Sequence, residues 1–235
     1  MVRPKTFAGV ISHITHFGTQ SSLYTLSLDD EIIFSPGQFI MVPVKDKEGK
    51  SIRRAYSIAS SPSKKKQLEL LLTRHEGGIA SEFFKQMKEG DSLELLGPMG
   101  VFTVREPISN PIYFIATGAG LAPFRSMIHS LLKNKNTTHL VLLFGFRHEE
   151  DYLCKEELEK LMKTHKNVSV IPTCSQPKGS WRGLTGRVTA HLDAIECNEK
   201  TQAYLCGSTS MINEMIPLLL QKGMKREHIF FEKWG

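Results

Sequence analysis

The chain has 235 residues, of which 40% are hydrophobic and 23% charged, with a formal net charge of +6. This length suits two domains of roughly 100–130 residues each, and both fractions are ordinary for a soluble globular protein. No apolar run approaches the roughly 18 residues that span a membrane, and the N-terminus lacks the pattern of a secretory signal. The positive charges are not interleaved with aromatic side chains, which argues against nucleic-acid binding. We therefore expect a cytoplasmic protein with no membrane span.

The four cysteines form no CxxC pair, so a disulfide scaffold is excluded and a zinc or iron–sulfur site is disfavoured. They are Cys154, Cys174, Cys197 and Cys206. His13 and His16 are the histidines closest to a ligand pair, but no third ligand accompanies them. We predict that both are surface residues on an early strand and that the protein binds no metal.

Short strands separated by turn residues are predicted in the first half of the chain. They cover residues 22–28, 38–44, 51–59, 67–73 and 91–97. Several short strands at this spacing predict an antiparallel barrel. A helix over 81–90 interrupts them, with Phe83, Phe84 and Met87 on one face and Gly90 at its end.

The periodicity changes after residues 104–111, which we interpret as the linker between a domain over 1–104 and a domain over 105–235. Predicted strands cover 112–117, 139–146, 168–174, 203–207 and 228–232, and predicted helices cover 124–132, 155–165 and 211–223. Alternating strands and helices predict a doubly wound parallel sheet. Pro217 lies inside the last predicted helix and favours a kink there.

The stretch "TGAGLAP" (117–123) follows a buried strand and begins an amphipathic helix. Gly118 and Gly120 let the backbone approach a phosphate, the helix N-terminus offers free N–H groups, and Pro123 pre-sets the first turn. The alternative is a plain strand–helix turn. Arg147 follows the next strand, where an NAD-binding Rossmann unit has an acidic residue, so this is not an ordinary unit of that kind.

Two further stretches suggest cofactor contacts in the first half. In "RRAYSIASSP" (53–62), Arg54 and Tyr56 share a strand face, where the arginine suits a phosphate and the tyrosine a flat ring. The alternative is an exposed strand with arginines in water. In "EGGIASEFF" (76–84), paired glycines precede a helix with Ser81 near its first turn, which suits a second phosphate or a simple turn.

Four motifs occur in order along essentially the whole chain: RxYS (54–57), GxxS (78–81), GxGxxP (118–123) and "CGSTSMI" (206–212). This ordered set resembles the ferredoxin–NADP reductase family, which "PGQF" (36–39) and "GPMGVF" (97–102) also fit. The resemblance implies a Greek-key FAD-binding barrel followed by a nicotinamide-binding α/β domain, with the redox centre between them. Without a cysteine cluster, the chain resembles the stand-alone form that has no iron–sulfur domain.

The resemblance assigns FAD contacts to the first half. It implies that Arg54 contacts the pyrophosphate, Tyr56 stacks on the isoalloxazine and Ser57 hydrogen-bonds the central ring. The flavin-side groove and the phosphate cradle would comprise Leu72, Thr73, Arg74, Gly78, Ile79, Ala80 and Ser81.

The resemblance assigns the nicotinamide nucleotide to Thr117, Gly118, Gly120, Pro123, Arg147, Ser175, Cys206, Gly207 and Met211. Cys206 and Gly207 would flank the hydride-bearing carbon. Glu232 and Trp234 stand where the family places a glutamate and a flavin-stacking aromatic, so the implied catalytic set is Tyr56, Ser57, Cys206 and Glu232. The alternatives are that Trp234 caps the core and that Cys206 is an ordinary buried cysteine.

The nicotinamide preference is left open. Ser175-Gln176 stands where relatives selective for NADPH often have Ser-Arg, which favours NADH. Arg147 and Arg182 still offer positive charge to a 2′-phosphate.

The function implied is an FAD-dependent NAD(P)H oxidoreductase that passes a hydride from NADH or NADPH to FAD and then single electrons to a carrier. The carrier would be an acidic ferredoxin, flavodoxin or oxygenase component, because the chain is basic. One alternative is a flavin reductase that uses free flavin, which "GSWRGLTGRV" (179–188) also fits. The others are an FAD-binding electron-transfer subunit of a larger complex and a nucleotide-sensing module without flavin.

Overall fold

The computed structural model describes residues 3–46, 48–109 and 111–234, apart from the side chain of Trp234. These residues form two compact units. The barrel unit comprises the described residues up to Thr103 together with Ala122–Ser130, and the sheet unit comprises Val104–Leu121 and the described residues from Leu131 onward. None of the helices in the described ranges has both the length and the apolar character that a membrane crossing requires.

The barrel unit is built on six antiparallel strands in the order β4-β3-β6-β1-β2-β5. They are β1 (Lys5–Phe17), β2 (Ser21–Leu28), β3 (Phe39–Lys45), β4 (Ser51–Ser57), β5 (Gln67–Thr73) and β6 (Ser92–Met99). An antiparallel bridge between Ile58 and Leu70 links the two ends of the order. The predicted antiparallel barrel is confirmed. His13 and His16 are exposed on β1, the early strand predicted for them without bounds.

The core of the barrel unit is an apolar cluster that strand alternation places on the inner face. Ile40, Val42 and Val44 of β3 are fully buried. Helix α1 (Ile79–Gln86) adds Phe84, whose side chain is 1% exposed; burying such a ring contributes about 1.5–3 kcal/mol. The helix begins earlier and ends earlier than the predicted 81–90, because Met87 already has an extended backbone.

The sheet unit contains six parallel strands in the order β10-β9-β8-β7-β11-β12. They are β7 (Ile112–Thr117), β8 (Leu140–Phe146), β9 (Val168–Cys174), β10 (Leu184–Thr185), β11 (Gln202–Ser208) and β12 (Ile229–Trp234). The further α-helices in the described residues are α2 (Leu121–Lys133), α3 (Lys155–Thr164) and α4 (Thr209–Gln221). The doubly wound parallel sheet is confirmed. Its strand order reverses between β7 and β11, the point at which such sheets bind ligands beyond their carboxyl ends.

Helix α4 is continuous although Pro217 lies inside it. Ser208 caps its N-terminus, since its hydroxyl oxygen accepts a hydrogen bond from the Met211 N–H at 3.3 Å. Buried side chains along one face, including Met211, Met215 and Leu219, hold the helix against the sheet. This packing offsets the one backbone hydrogen bond that proline cannot donate.

Strand β12 is at one edge of the parallel sheet. Two cations lie over the ring of its residue Phe231: the Arg226 guanidinium at 5.3 Å and the Lys233 ammonium at 5.4 Å from the ring centroid. Such contacts are cation–π interactions, which each stabilise by about 0.5–1 kcal/mol at exposed sites.

Candidate functional site

Tyr56 and Arg54 lie two residues apart on β4 of the barrel unit. The Tyr56 ring is partly buried and packs edge-on against Phe84, with 5.3 Å between ring centroids. Burial raises the pKa of Tyr56 to about 12, against an opposing effect of the Arg54 charge, so the hydroxyl stays protonated at neutral pH. Arg54 itself is exposed. The strand thus presents an aromatic ring and a cation in consecutive positions of one face.

The end of β5 is fixed against the loop that joins β1 and β2. The Thr73 and Ser21 hydroxyls are 3.0 Å apart, and Arg74 Nη2 donates to the Thr19 carbonyl oxygen at 2.6 Å. Leu72 is buried, as is Ser57 at the end of β4. The predicted groove residues Leu72, Thr73 and Arg74 therefore belong to a firmly held strand end.

The N-terminus of α1 has the features of a phosphate cradle. Gly78 is its N-cap, and no side chain caps the first turn, so backbone N–H groups remain available there. The Ser81 hydroxyl oxygen accepts the His75 N–H at 2.8 Å, which leaves its own hydrogen to donate. A Cβ at Gly78 would lie 3.0 Å from Ser81 Oγ and 3.1 Å from the His75 carbonyl oxygen, so a side chain there would crowd this turn. Ile79 and Ala80 are the first two residues of the helix, so their backbone N–H groups belong to this uncapped turn.

The residues of the barrel unit fit FAD on these observations. The uncapped helix end and the arginines suit a pyrophosphate, and Tyr56 suits a flat ring. Phe84 contacts both Tyr24 and Tyr56, so the β4 strand and the α1 cradle are packed together.

In the sheet unit, the turn between β7 and α2 lies directly against β11. Gly118 has a φ of 53°, a conformation that favours glycine. A Cβ at Gly120 would lie 2.2 Å from the Cys206 carbonyl oxygen, so no side chain fits. The predicted glycine turn and the predicted Cys206 segment are therefore in contact.

Three predicted residues converge at the carboxyl ends of β7 and β11. Gly207 has a φ of 150°, and a Cβ there would lie 2.1 Å from Thr117 Oγ1 and 3.1 Å from Met211 Cε. Thr117 Oγ1 accepts the Ser208 N–H at 3.4 Å. The lack of a side chain at Gly207 thus lets β11 pack closely against Thr117 and Met211 at the switch point of the sheet, where sheets of this kind bind ligands.

Cys206 and Glu232 are register neighbours on β11 and β12. Cys206 is fully buried, and Glu232 is partly exposed. The structure thus brings together the two sheet-unit members of the predicted catalytic set. The backbone of Trp234 ends β12, but its side chain lies outside the described part of the chain, so its predicted flavin stacking stays a prediction.

Arg147 and Ser175 lie at the carboxyl ends of β8 and β9. Arg147 Nε donates to Gln176 Oε1 at 2.9 Å, and Ser175 Oγ donates to the Phe146 carbonyl oxygen at 3.2 Å. Both residues are therefore on the edge of the sheet that holds Thr117 and Gly207. Pro123 is buried in the first turn of α2, which directly follows Gly120.

The sequence interpretation missed a buried ion pair in the barrel unit. Arg125 and Glu69 are 7% and 5% exposed, and Arg125 Nη1 donates to Glu69 Oε2 and to the Ala59 carbonyl oxygen. Burial alone raises the pKa of Glu69, but the charges of Arg125 and Lys64 outweigh it and lower that pKa. The available signal was the position of Arg125 on the apolar stripe of α2, between Leu121 and Ile128.

No group of three or more His, Cys, Asp or Glu side chains in the described residues is arranged to hold a metal ion. His13 Nδ1 contacts Glu89 Oε1 at 2.9 Å, and His16 Nδ1 lies 2.9 Å from the Ser22 hydroxyl. The two histidines thus each have a separate partner.

Comparisons with known proteins relate both halves of the chain to oxidoreductase domains. The family profile "Oxidoreductase FAD-binding domain" matches residues 9–104, and "Oxidoreductase NAD-binding domain" matches residues 114–216. Ferredoxin–NADP reductase B of Sorangium cellulosum is 34% identical over 211 residues, covering 86% of each chain. The reductase component of a Pseudomonas phenol 2-monooxygenase is 34% identical over 235 residues, which are 97% of this chain but 65% of that one. The chain thus spans less than two thirds of that oxygenase reductase.

Solved structures share the fold. A cytochrome P450 reductase from Amycolatopsis superposes with a TM-score of 0.89 at 23% identity, over 98% of this chain and 70% of that chain. A ferredoxin NADP⁺ reductase from Neisseria gonorrhoeae with bound FAD and NADP gives 0.84 at 22% identity, over 99% of each chain. From its two family profiles and its identity with the Sorangium protein, the chain belongs to the ferredoxin–NADP reductase-like family of FAD- and NAD-binding oxidoreductases.

Proposed function

We propose that this chain is an FAD-dependent NAD(P)H oxidoreductase that delivers single electrons to a separate carrier protein. The observation that supports it best is the pairing, in one chain, of the α1 phosphate cradle with the glycine-lined carboxyl edge of the parallel sheet. The relatives named above are a ferredoxin–NADP reductase and the reductase component of an oxygenase.

The barrel unit binds and orients FAD in this proposal. FAD, when bound, takes two electrons from NAD(P)H and releases them one at a time. Arg54 and the N-terminus of α1 bind the pyrophosphate, and Ser81 adds a hydroxyl donor. Tyr56 stacks on the ring system, and Ser57 hydrogen-bonds to it.

The sheet unit binds the nicotinamide nucleotide. Gly118 and Gly120 let the phosphates approach the backbone, and the nicotinamide lies beside Cys206 and Gly207, where β11 packs closely against Thr117. Arg147 Nε donates to Gln176 Oε1, which leaves the Nη1 and Nη2 donors of its guanidinium for a ligand. Gln176 stands where relatives selective for NADPH often have an arginine, so this edge lacks that second cation, which favours NADH over NADPH.

The first test is the visible absorption spectrum of the purified protein, recorded anaerobically before and after NADH or NADPH is added. We expect a yellow protein that bleaches, faster with NADH. A colourless protein that reduces only added flavin would support the flavin-reductase alternative. A flavin-loaded protein that neither nucleotide reduces would contradict the proposal.

The proposed carrier is an acidic one-electron protein such as a ferredoxin, a flavodoxin or an oxygenase component. The support is the net charge of +6, since opposite charges accelerate encounter. We expect the rate of reduction of an acidic ferredoxin to fall roughly tenfold between low and moderate ionic strength. A neutral quinone is the control acceptor, and its rate should hold steady. Equal salt dependence for both acceptors would contradict an acidic partner.

A further inference from the structure

A pocket of about 560 Å³ lies in the sheet unit, at the amino-terminal edge of the parallel strands. We call it the linker pocket; it is lined by residues of the 105–109 segment, by residues of the 198–202 loop, and by His228 and Phe230. The nucleotide-binding turn is at the opposite edge of the sheet, a strand length of roughly 20 Å away. The linker pocket is therefore separate from the site proposed above.

The wall of the linker pocket is held in place by buried polar contacts. Gln202 is 5% exposed, and its Nε2 donates to the carbonyl oxygens of Arg105 at 3.3 Å and Pro107 at 3.0 Å. The fully buried Tyr204 accepts the Arg105 N–H at 2.7 Å. These bonds fix the 105–109 segment to β11, so the pocket is formed before any ligand arrives, which lowers the cost of binding.

Cations outnumber carboxylates among the residues that line the pocket. Arg105 and Lys200 supply positive charge, and Glu106 supplies a carboxylate whose Oε2 already accepts the Ile108 N–H at 3.2 Å. His228 Nδ1 must donate to the Glu199 carbonyl oxygen, 2.7 Å away, so Nε2 of the neutral ring is an acceptor and the case for an anion depends on Arg105 and Lys200. The charge balance favours an anion.

The pocket also offers an apolar surface beside these charges. The Arg105 guanidinium lies 5.9 Å from the centre of the partly exposed Phe230 ring. Pockets of a few hundred cubic ångströms with a few convergent polar groups are typical of small-molecule sites. We propose that the linker pocket binds a small organic anion with carboxylate or phosphate groups, independently of the nicotinamide nucleotide.

The test uses the FAD-loaded protein with saturating NAD⁺, which blocks phosphate binding at the nucleotide edge. Inorganic phosphate and succinate are titrated separately by calorimetry, with chloride at equal ionic strength as the reference. The two probes separate a phosphate ligand from a carboxylate ligand. We expect at least one of them to bind, and Lys200→Gln to weaken it roughly tenfold, as loss of one charge-assisted hydrogen bond does.

Two further variants sharpen the result. Glu106→Gln removes the opposing charge but keeps an acceptor for Ile108, so we expect tighter binding. Lys166→Gln changes an exposed lysine elsewhere in the sheet unit and should leave the affinity unchanged. The proposal is overturned if neither probe binds, if Lys200→Gln and Lys166→Gln bind the probe equally, or if Glu106→Gln binds it more weakly.

Discussion

At the scale of single residues, the carboxyl edge of the parallel sheet depends on glycines, because a Cβ at Gly120 or Gly207 would clash with neighbouring atoms. The sequence pattern predicted Gly118 and Gly120, because glycines after a buried strand are typical of a phosphate turn. Gly207 entered only through the family resemblance. A glycine is needed at 207 because the backbone there lies close to Thr117, which is on a different strand. A contact between distant strands cannot be recognised from the residues around position 207.

Gly207→Ala should damage this edge. The new Cβ adds backbone strain and meets Thr117 Oγ1 and Met211, which costs roughly 1–3 kcal/mol beyond the strain itself. We expect a lower melting temperature and a raised KM for NADH, with FAD content unchanged.

Gly179→Ala is the matched control for that change. Gly179 has a φ of 87°, and no atom lies within 4 Å of the position a Cβ would take, so alanine there would add backbone strain without a clash. If both variants lose the same stability and keep the same KM, contact with Thr117 is not what excludes a side chain at 207.

At the scale of elements, the strands and helices were predicted wherever their periodicity was clean. Strand β1 was expected around His13 and His16, but its bounds were not predicted, because a bulge between Ile11 and His13 interrupts its alternation of apolar and polar residues. Strand β10 was missed because it has two residues, both exposed. The network of Arg125 and Glu69 was missed because α2 and β5 are distant in sequence.

Because of that network, replacing Glu69 should cost far more free energy of unfolding than replacing a glutamate in an exposed ion pair. Glu69→Gln leaves the buried Arg125 charge without its partner, which costs about 3–5 kcal/mol of the free energy of unfolding. Glu31→Gln, in the exposed pair with Lys65, should cost about 1 kcal/mol or less. Urea unfolding of both variants measures this. Equal losses would mean that the buried pair contributes no more than a surface pair.

The Glu69 carboxyl also makes the stability of the folded protein depend on pH. Its pKa is lowered in the folded protein, so its stabilisation is complete above the pKa of the unfolded chain and is lost as pH falls through the folded pKa. The stability gap between the wild type and Glu69→Gln should therefore narrow below a pH of about 4. If the difference in stability widens as the pH falls, the pKa of Glu69 is not lowered by folding, and the prediction is wrong.

At the scale of the whole molecule, the sequence pattern changes from short strands to alternating strands and helices. This change correctly predicted a barrel followed by a parallel sheet. The sequence did not reveal that Ala122–Ser130 packs with the barrel unit, because the helix pattern runs on without a break. Which side chains share a packed cluster is decided by tertiary contacts that a one-dimensional pattern does not contain.

Two compact units predict that ligands stabilise the protein unequally. FAD should raise the unfolding temperature of the barrel unit and NAD⁺ that of the sheet unit, since a ligand stabilises what it binds. Differential scanning calorimetry with each ligand alone, on flavin-free protein, measures this. We expect two transitions that move separately. A single transition shifted equally by both ligands would show that the units unfold as one.

The cations over Phe231 have a consequence for the protein at high concentration. An edge strand with adjacent phenylalanines can pair with the strand of another molecule and begin aggregation. Arg226 and Lys233 place charge on that edge, so an incoming strand would have to strip water from both and would face a second copy's identical charges. We therefore expect the β12 edge to resist pairing with a strand of another molecule when the protein is concentrated.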